Sequence, residues 1–273
     1  MKTNTIILVL LLAILAPSCQ NDDDPIPFEP FKDIVKIMSS PTGLEAYKME
    51  VYMNEDPFVG FNYVYVDIYD SISGEKASDW EVTYAPLMTM MMDGNIMKHT
   101  CPVEQPIYDT KLKAFSGASV FIMPTTDMGN WAFEIKYKNT HGEGSVTVEL
   151  TVVEKSEPAL LSFLSESNPD MKYFVALINP ATPDVGVNEF ELGIYTKESM
   201  MSFPAANGLT VTIEPEMPSM NHGSPDNVNP TGMGNGRYKG SVNFTMTGLW
   251  HVNMIIKEGT NMVASDKYFV IEF

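Results

Sequence analysis

Two thioethers and an imidazole occur close together in a turn-rich segment of the chain. In "EPEMPSMNHGSP", residues 214–225, Met217 and Met220 are followed by His222. Thioethers select Cu(I), and imidazole also suits copper as a ligand. The same residue types fit a structural role, because methionine fills irregular gaps in hydrophobic cores. The segment therefore predicts either a Cu(I) site or an apolar cover on the end of its domain.

A second segment, "PLMTMMMDGNIMKHTC" at residues 86–101, has a related composition. Its candidate soft ligands are Met88, Met91, His99 and Cys101. The methionines are more crowded here, and the histidine lies further along the chain. If Cys19 is lipidated, as proposed below, Cys101 is the only thiol left. A single thiol in an exported chain suggests a free sulfur, an intermolecular bridge or a metal ligand, and it also fits a small buried hydrophobe.

The elements that must position these residues are strands. Segments such as "FNYVYVDIYD", "WAFEIKYK" and "NEFELGIYT" alternate apolar and polar residues and favour β-branched and aromatic types. No segment after Pro30 has a helical period of useful length. Many short strands separated by Gly, Pro and Asn turns predict an all-β protein built from β-sandwiches. The alternation after Trp131 and Trp250 places both tryptophans in the predicted cores.

The chain aligns with itself at a repeat of about 125 residues, which indicates a domain duplication. Strand, turn and ligand residues agree in order between the halves. The matched pairs include Val82 and Val211, Met88 and Met217, His99 and His222, Met123 and Met246, Gly129 and Gly248, and Trp131 and Trp250. We predict a first sandwich at 44–153, a Ser- and Glu-rich linker at 154–170, and a second sandwich at 171–273.

The N-terminal residues indicate export. Lys2 precedes an apolar run too short to span a bilayer, and small residues follow it, so 1–18 is predicted to be a signal peptide. Cys19 resembles the acylated cysteine of bacterial lipoproteins. The "QNDDDP" after it resembles the acidic export signal of Bacteroidetes outer-membrane lipoproteins, and it also fits a solvated tether. We expect Cys19 to anchor the tether, 19–43, in the outer membrane, facing the cell surface or the periplasm.

Charge and motifs exclude some classes of function. The formal net charge is −18, with 35 acidic against 17 basic residues. Nucleic acid is therefore not an expected partner, because neutralising phosphates requires clustered Lys and Arg. No nucleophile elbow, metalloprotease motif, phosphate loop or dinucleotide fingerprint is present in the sequence. We expect a protein without enzymatic activity.

The second half resembles a known family through "PEMPSMNHG", "GRYKGSVNFTM" and "GLWHV". These segments are similar to the YtkA-like domain, an exported β-sandwich found beside copper-handling proteins. The resemblance covers about 171–273 and, more weakly, 44–153. It implies two tandem immunoglobulin-like sandwiches, with a metal site formed by Met217, Met220, His222 and Met246. In the first copy Cys101 stands where the second copy has Ser224, so the resemblance carries over less well there.

Two functions follow from these patterns. One is capture of Cu(I), or of another soft metal ion, from a donor protein and its transfer to an acceptor protein by exchange of Met and His ligands. The other is a non-metal role as a surface interaction module, adhesin or structural lipoprotein, in which the methionines pack under the sandwich end or form an adaptable surface.

Overall fold

The computed structural model describes residues 47–273 and, for the backbone only, residues 35–41. The predicted signal peptide 1–18, the lipidation site Cys19 and most of the predicted tether lie outside the described residues. None of the described residues forms a helix long and apolar enough to cross a membrane.

The chain is all-β, as the alternating patterns predict. The strands of the first half form a five-stranded sheet, in the order β1-β2-β3-β7-β6, and a four-stranded sheet, in the order β5-β4-β8-β9. All neighbouring pairs are antiparallel. The strands are β1 Val35–Pro41, β2 Tyr47–Met53, β3 Gly60–Asp70, β4 Glu81–Met92, β5 Asn95–His99, β6 Val103–Asp109, β7 Ala114–Phe121, β8 Gly129–Asn139 and β9 Gly142–Leu150.

The second half has the same architecture. Its five-stranded sheet has the order β10-β11-β12-β16-β15, and its four-stranded sheet has the order β14-β13-β17-β18. The strands are β10 Leu160–Leu164, β11 Lys172–Asn179, β12 Gly186–Lys197, β13 Leu209–Met217, β14 His222–Gly223, β15 Val228–Gly234, β16 Arg237–Phe244, β17 Leu249–Glu258 and β18 Asn261–Glu272. Each strand order of the first half thus recurs with the strand number raised by nine.

The predicted boundaries cut through strands at two places. The segment 154–170, expected to be a linker, contains β10, which pairs with β11 as an edge strand of the second sandwich. The predicted tether, 19–43, contains β1, which pairs with β2 of the first sandwich. The residues on either side of β10 are rich in Ser, Glu and Pro and typical of loops, whereas β10 itself is the apolar run LLSFL, which pairs into the sheet.

Each sandwich buries one hydrophobic core between its two sheets. Trp131 and Trp250 have no exposed surface, which confirms that both tryptophans are core residues. They occupy the equivalent strands β8 and β17 at the same end of each sandwich. Of the candidate ligands, His99 and His222 pack against these two tryptophans.

The five-stranded sheets of the two sandwiches meet around Arg237, the single arginine of the chain. Its guanidinium donates two hydrogen bonds to the Glu104 carboxylate of the first sandwich, at 2.7 and 3.0 Å, and one to Glu191, at 2.7 Å. It also lies 4.4 Å from the ring centroid of Phe61. Small and aromatic residues of both sandwiches form an apolar cluster at the same junction.

Candidate soft-metal sites

The turn-rich segment of the second sandwich is a short hairpin, β13–β14. Met217, at the end of β13, pairs directly with His222 of β14. Met217 is only 3% exposed and belongs to the second core, whereas Met220, in the turn between them, is 56% exposed. The methionines of the Met-x-x-Met-x-His motif therefore lie in different environments, one in the core and one at the surface.

His222 is held against the core tryptophan of its sandwich. Its ring meets that of Trp250 edge to face, with centroids 5.6 Å apart, and its Nδ1 lies 2.8 Å from the Gly223 carbonyl oxygen. The indole nitrogen of Trp250 donates to the backbone oxygen of Met246 at 3.0 Å. Within the described residues, the His222 ring has no hydrogen bond to a methionine sulfur. Trp250 therefore contacts both His222 and Met246, but no contact joins the imidazole of His222 to a thioether sulfur as one does in the first sandwich.

Gly248 makes room for Met217 in this group. A Cβ atom at Gly248 would lie 3.2 Å from the terminal methyl of Met217, and the glycine has φ +129°, a conformation that side chains disfavour. The matching Gly129 of the first sandwich would place a Cβ 3.4 Å from the sulfur of Met88. Both glycines thus leave space beside an equivalent buried thioether.

The first sandwich holds a more compact version of the same group. Met88 of β4 pairs with His99 of β5 on one side and with Trp131 of β8 on the other. Met88 is fully buried and His99 is 3% exposed. The His99 ring meets the Trp131 ring edge to face, with centroids 5.3 Å apart. The indole nitrogen of Trp131 donates to the backbone oxygen of Met123 at 2.9 Å.

The partners of the His99 ring determine where its proton lies. Nδ1 is 2.8 Å from the Thr100 carbonyl oxygen, which only accepts, so Nδ1 carries the proton of the neutral ring. Nε2 then holds a lone pair, and it lies 3.1 Å from Sδ of Met123, which has no proton to donate. Two electron-pair donors therefore face each other at close range, an arrangement suited to a soft cation.

The surroundings keep this imidazole neutral. Burial lowers the pKa of His99 below its usual 6.5, and the positive charge of Lys197 lowers it as well, against the opposing hydrogen bond to Thr100. A neutral ring is the form that binds metal. The electrostatics of the site thus favour an available Nε2 lone pair over an imidazolium.

Two sequence-predicted ligands of the first sandwich have other environments. Cys101 is buried with its Sγ 3.2 Å from Ser119 Oγ, and burial raises the pKa of its thiol to about 12. The thiolate that binds metals is therefore disfavoured, and a small buried hydrophobe describes this residue better. Met91 is 48% exposed and lies on the opposite face of β4 from Met88.

Met123 is the residue that the first-copy assignment omitted. Self-alignment pairs Met123 with Met246, a candidate ligand of the second copy, so the sequence itself indicates Met123 as a candidate ligand. Only strand pairing shows that the loop after β7 carries Met123 to His99. Among the described residues no group of three or more His, Cys, Asp or Glu side chains is placed to hold a metal.

Met, His and Trp recur on equivalent strands of the two sandwiches, and we call each set, with its loop methionine, a Met-His-Trp group. Residues 169–254 match the model of the YtkA-like family. This segment runs from just before β11 into β17 and includes the second Met-His-Trp group. It confirms the resemblance seen in "PEMPSMNHG" and "GLWHV" for the second half. No curated protein matches the chain.

Solved structures with similar strand arrangements are remote in sequence. Domains 5–6 of the S-layer protein SbsC align with a TM-score of 0.29 and 13% identity over 88% of this chain and 98% of that chain. Invasin, a bacterial integrin-binding protein, aligns with a TM-score of 0.26 and 10% identity over 88% of this chain and 38% of the invasin chain. InvD of Yersinia pseudotuberculosis aligns with a TM-score of 0.24 and 10% identity over 79% of this chain and 53% of the InvD chain. This chain spans less than two thirds of the invasin and InvD chains.

Proposed function

We propose that this protein binds Cu(I) at the Met-His-Trp groups of its two sandwiches and transfers it to a partner protein by ligand exchange. The observation that carries the proposal is the contact between His99 Nε2 and Met123 Sδ in the first sandwich. The protein then acts as a carrier and not as an enzyme. The YtkA-like match at 169–254 supports the same role for the second group.

The donor set explains the choice of metal. Neutral thioethers and a neutral imidazole suit Cu(I), whereas Ca²⁺ and Mg²⁺ require oxygen ligands. In the first group His99 and Met123 are the principal ligands, and Met88, the cross-strand partner of His99, is a further thioether. In the second group His222 and Met246 take the equivalent places. Met217 lies beneath them and Met220 lies outside.

The two groups suit different tasks. In the first, His99 and Met88 are buried and Met123 is half-buried, which favours retention of the ion. The second is half exposed, and its Met220 and Met246 are open to a partner, so ligand exchange there is sterically easier. On this proposal the first sandwich is a divergent copy of the YtkA-like domain that has become a storage site, and the second is the exchange site.

We place the protein in the cell envelope, anchored in the outer membrane by lipid on Cys19. The signal-like residues 1–18 and the tether support this location through their sequence alone. A partner that supplies or accepts copper would meet the protein there. The acidity of the chain makes nucleic acid an unsuitable partner.

The alternative role, a surface interaction module without metal, is favoured by one feature. Met91, Ile96 and Met128 are large apolar side chains that are about half exposed or more at one end of the first sandwich. A patch of this kind is typical of protein contact sites. In that case substitution of these residues, and not of His99, would abolish binding to the partner protein.

Competition titration tests the copper proposal. Cu(I) held by a coloured chelator is titrated anaerobically with the wild-type protein and with a His99→Gln, Met123→Leu variant. A matched His222→Gln, Met246→Leu variant is the control for the second group. We expect the first variant to bind its tightest equivalent of Cu(I) at least tenfold more weakly than wild type, a loss of ~1.4 kcal/mol or more in binding free energy. A wild-type protein that takes no Cu(I) from the chelator would refute the proposal.

A further inference from the structure

The hairpin formed by β4 and β5 is long in the first sandwich and short in the second. β4 and β5 pair over Met88 with His99, Met90 with Met97, and Met92 with Asn95. The equivalent β13 and β14 pair only at Glu216 with Gly223 and Met217 with His222. The first sandwich therefore has an added extension beyond its Met-His pair, and this extension is rich in methionine.

The side chains of this extension are sorted by face. Successive residues of a strand alternate between faces, and directly opposed residues of an antiparallel pair share one face. Met88, Met90 and Met92 therefore lie on the same face as Met97 and His99. This face of β4 supplies buried residues at Tyr84 and Met88, so it is the core-facing side continued outward. Met91 and Ile96 lie on the other face.

Exposure rises steadily along the same face. Met88 is fully buried, Met90 and its partner Met97 are half-buried, and Met92 at the tip is 52% exposed. Directly opposed side chains have Cβ atoms about 5 Å apart, and diagonal neighbours are about 7–8 Å apart, within reach of long side chains. A row of thioethers thus leads from solvent to Met88 and the buried His99 ring.

A glycine keeps this row free of other side chains. Gly129 of β8 stands opposite Met90, where any other residue would add a side chain to the same face. Its Cβ would lie 3.0 Å from the Cβ of Met90, closer than such contacts ordinarily allow. The β4–β5 turn at Asp93 and Gly94, both with positive φ, closes the hairpin tightly beyond Met92. The row therefore begins at an open tip, and Met90 and Met88 pack directly against the backbone of Gly129.

We propose that Met92, Met90 and Met97 form an outer Cu(I) site, from which the ion passes to Met88, His99 and Met123. The proposal deepens the proposed function and rests on it. Each transfer replaces one neutral ligand by another, so no electron or proton is exchanged. Such an entry path suits the imidazole side of the inner site, because His99 and Met88 offer almost no surface to a donor, whereas Met123 is half-buried.

Loading kinetics separate this proposal from the proposed function. Cu(I) is presented as the complex of a coloured chelator, and its uptake by the purified protein is followed by stopped flow. The row variant is Met90→Leu, Met92→Leu, Met97→Leu, in which leucine keeps the volume and removes the sulfur. The matched control, Met91→Leu with Met128→Leu, removes exposed thioethers from outside the row. Unfolding midpoints verify folding, and the single exposed change Met92→Leu serves if the triple variant is unstable.

We expect the row variant to load several-fold more slowly than wild type and control, with unchanged equilibrium affinity for the tightest equivalent. Equal rates in all three proteins, with binding intact, would overturn the entry row and leave the proposed function standing. Equal slowing of the row and control variants would also overturn it. A wild-type protein that takes up no Cu(I) would overturn both proposals.

Discussion

The imidazole Nε2 of His99 lies 3.1 Å from the sulfur of Met123, and one tryptophan holds both residues. The ring of Trp131 packs edge to face against His99, and its indole nitrogen donates to the backbone oxygen of Met123. The convergence of the two ligands is therefore built into the core of the sandwich. In the second sandwich Trp250 makes the same two contacts, to His222 and Met246.

Replacing this tryptophan tests its positioning role. Trp131→Phe keeps an aromatic ring and removes the indole donor, which leaves the Met123 carbonyl without that hydrogen bond. We expect a loss of about 1–3 kcal/mol in the free energy of unfolding, together with weaker Cu(I) binding at the first group. Urea unfolding and chelator competition measure the two effects. Trp250→Phe is the matched control, and it should leave binding at the first group unchanged.

The two methionines of the Met-x-x-Met-x-His motif should differ in their effect on stability. Met217→Ala removes a buried side chain and should cost about 2–5 kcal/mol. Met220→Ala acts at an exposed turn position and should change stability by no more than about 0.5 kcal/mol. Thermal or urea unfolding of both variants decides the point. Similar losses for the two would contradict the environments found here.

His99 should make stability depend on pH near neutrality. Its pKa is lowered in the folded state, so the unfolded chain binds more protons and the folded state gains stability as pH rises. The free energy of unfolding should therefore fall as pH drops below about 6.5 toward the lowered value. His99→Gln should reduce this slope. Urea midpoints at several pH values give the measurement, and a slope unaffected by His99→Gln would refute the assignment.

Arg237 should determine whether the sandwiches unfold together. Removal of one partner from a largely buried ion pair costs about 3–5 kcal/mol, and lysine cannot reproduce the two-point contact with Glu104. We expect Arg237→Lys to lower the unfolding midpoint and to separate one transition into two. Lys138→Ala, which breaks an exposed pair with Glu81, should have little effect. A single unshifted transition in Arg237→Lys would show that the apolar contacts suffice.

Local patterns predict the strands and much of the candidate site. The period of two gives the sheets, and self-alignment pairs Met88 with Met217 and His99 with His222. Both pairs occupy equivalent strands in the structure. These signals are local or repeated, so they can be read without knowledge of which strands are neighbours.

Long-range contacts decide the rest. The spacing of the motif does not show that Met217 is buried and Met220 exposed, because burial depends on where the β13–β14 hairpin turns. The approach of Met123 to His99 requires the pairing of β4 with β5 and β8. Sequence reasoning favoured the second group for its compact motif, whereas the structure brings ligands closer together in the first. The assignment of β10 to a linker has the same origin, because that strand is defined by its neighbour β11.

The most direct test of the copper account is methyl NMR of protein labelled with ¹³C at methionine methyl groups and ¹⁵N at histidine. Cu(I) is added anaerobically in small steps, and signals are assigned with single Met→Leu variants. We predict that the first additions shift the methyl signals of Met123 and Met88 and the Nε2 signal of His99. First additions that shift only Met220 and Met246, or no methionine signal, would contradict the assignment of the first sandwich as the principal site.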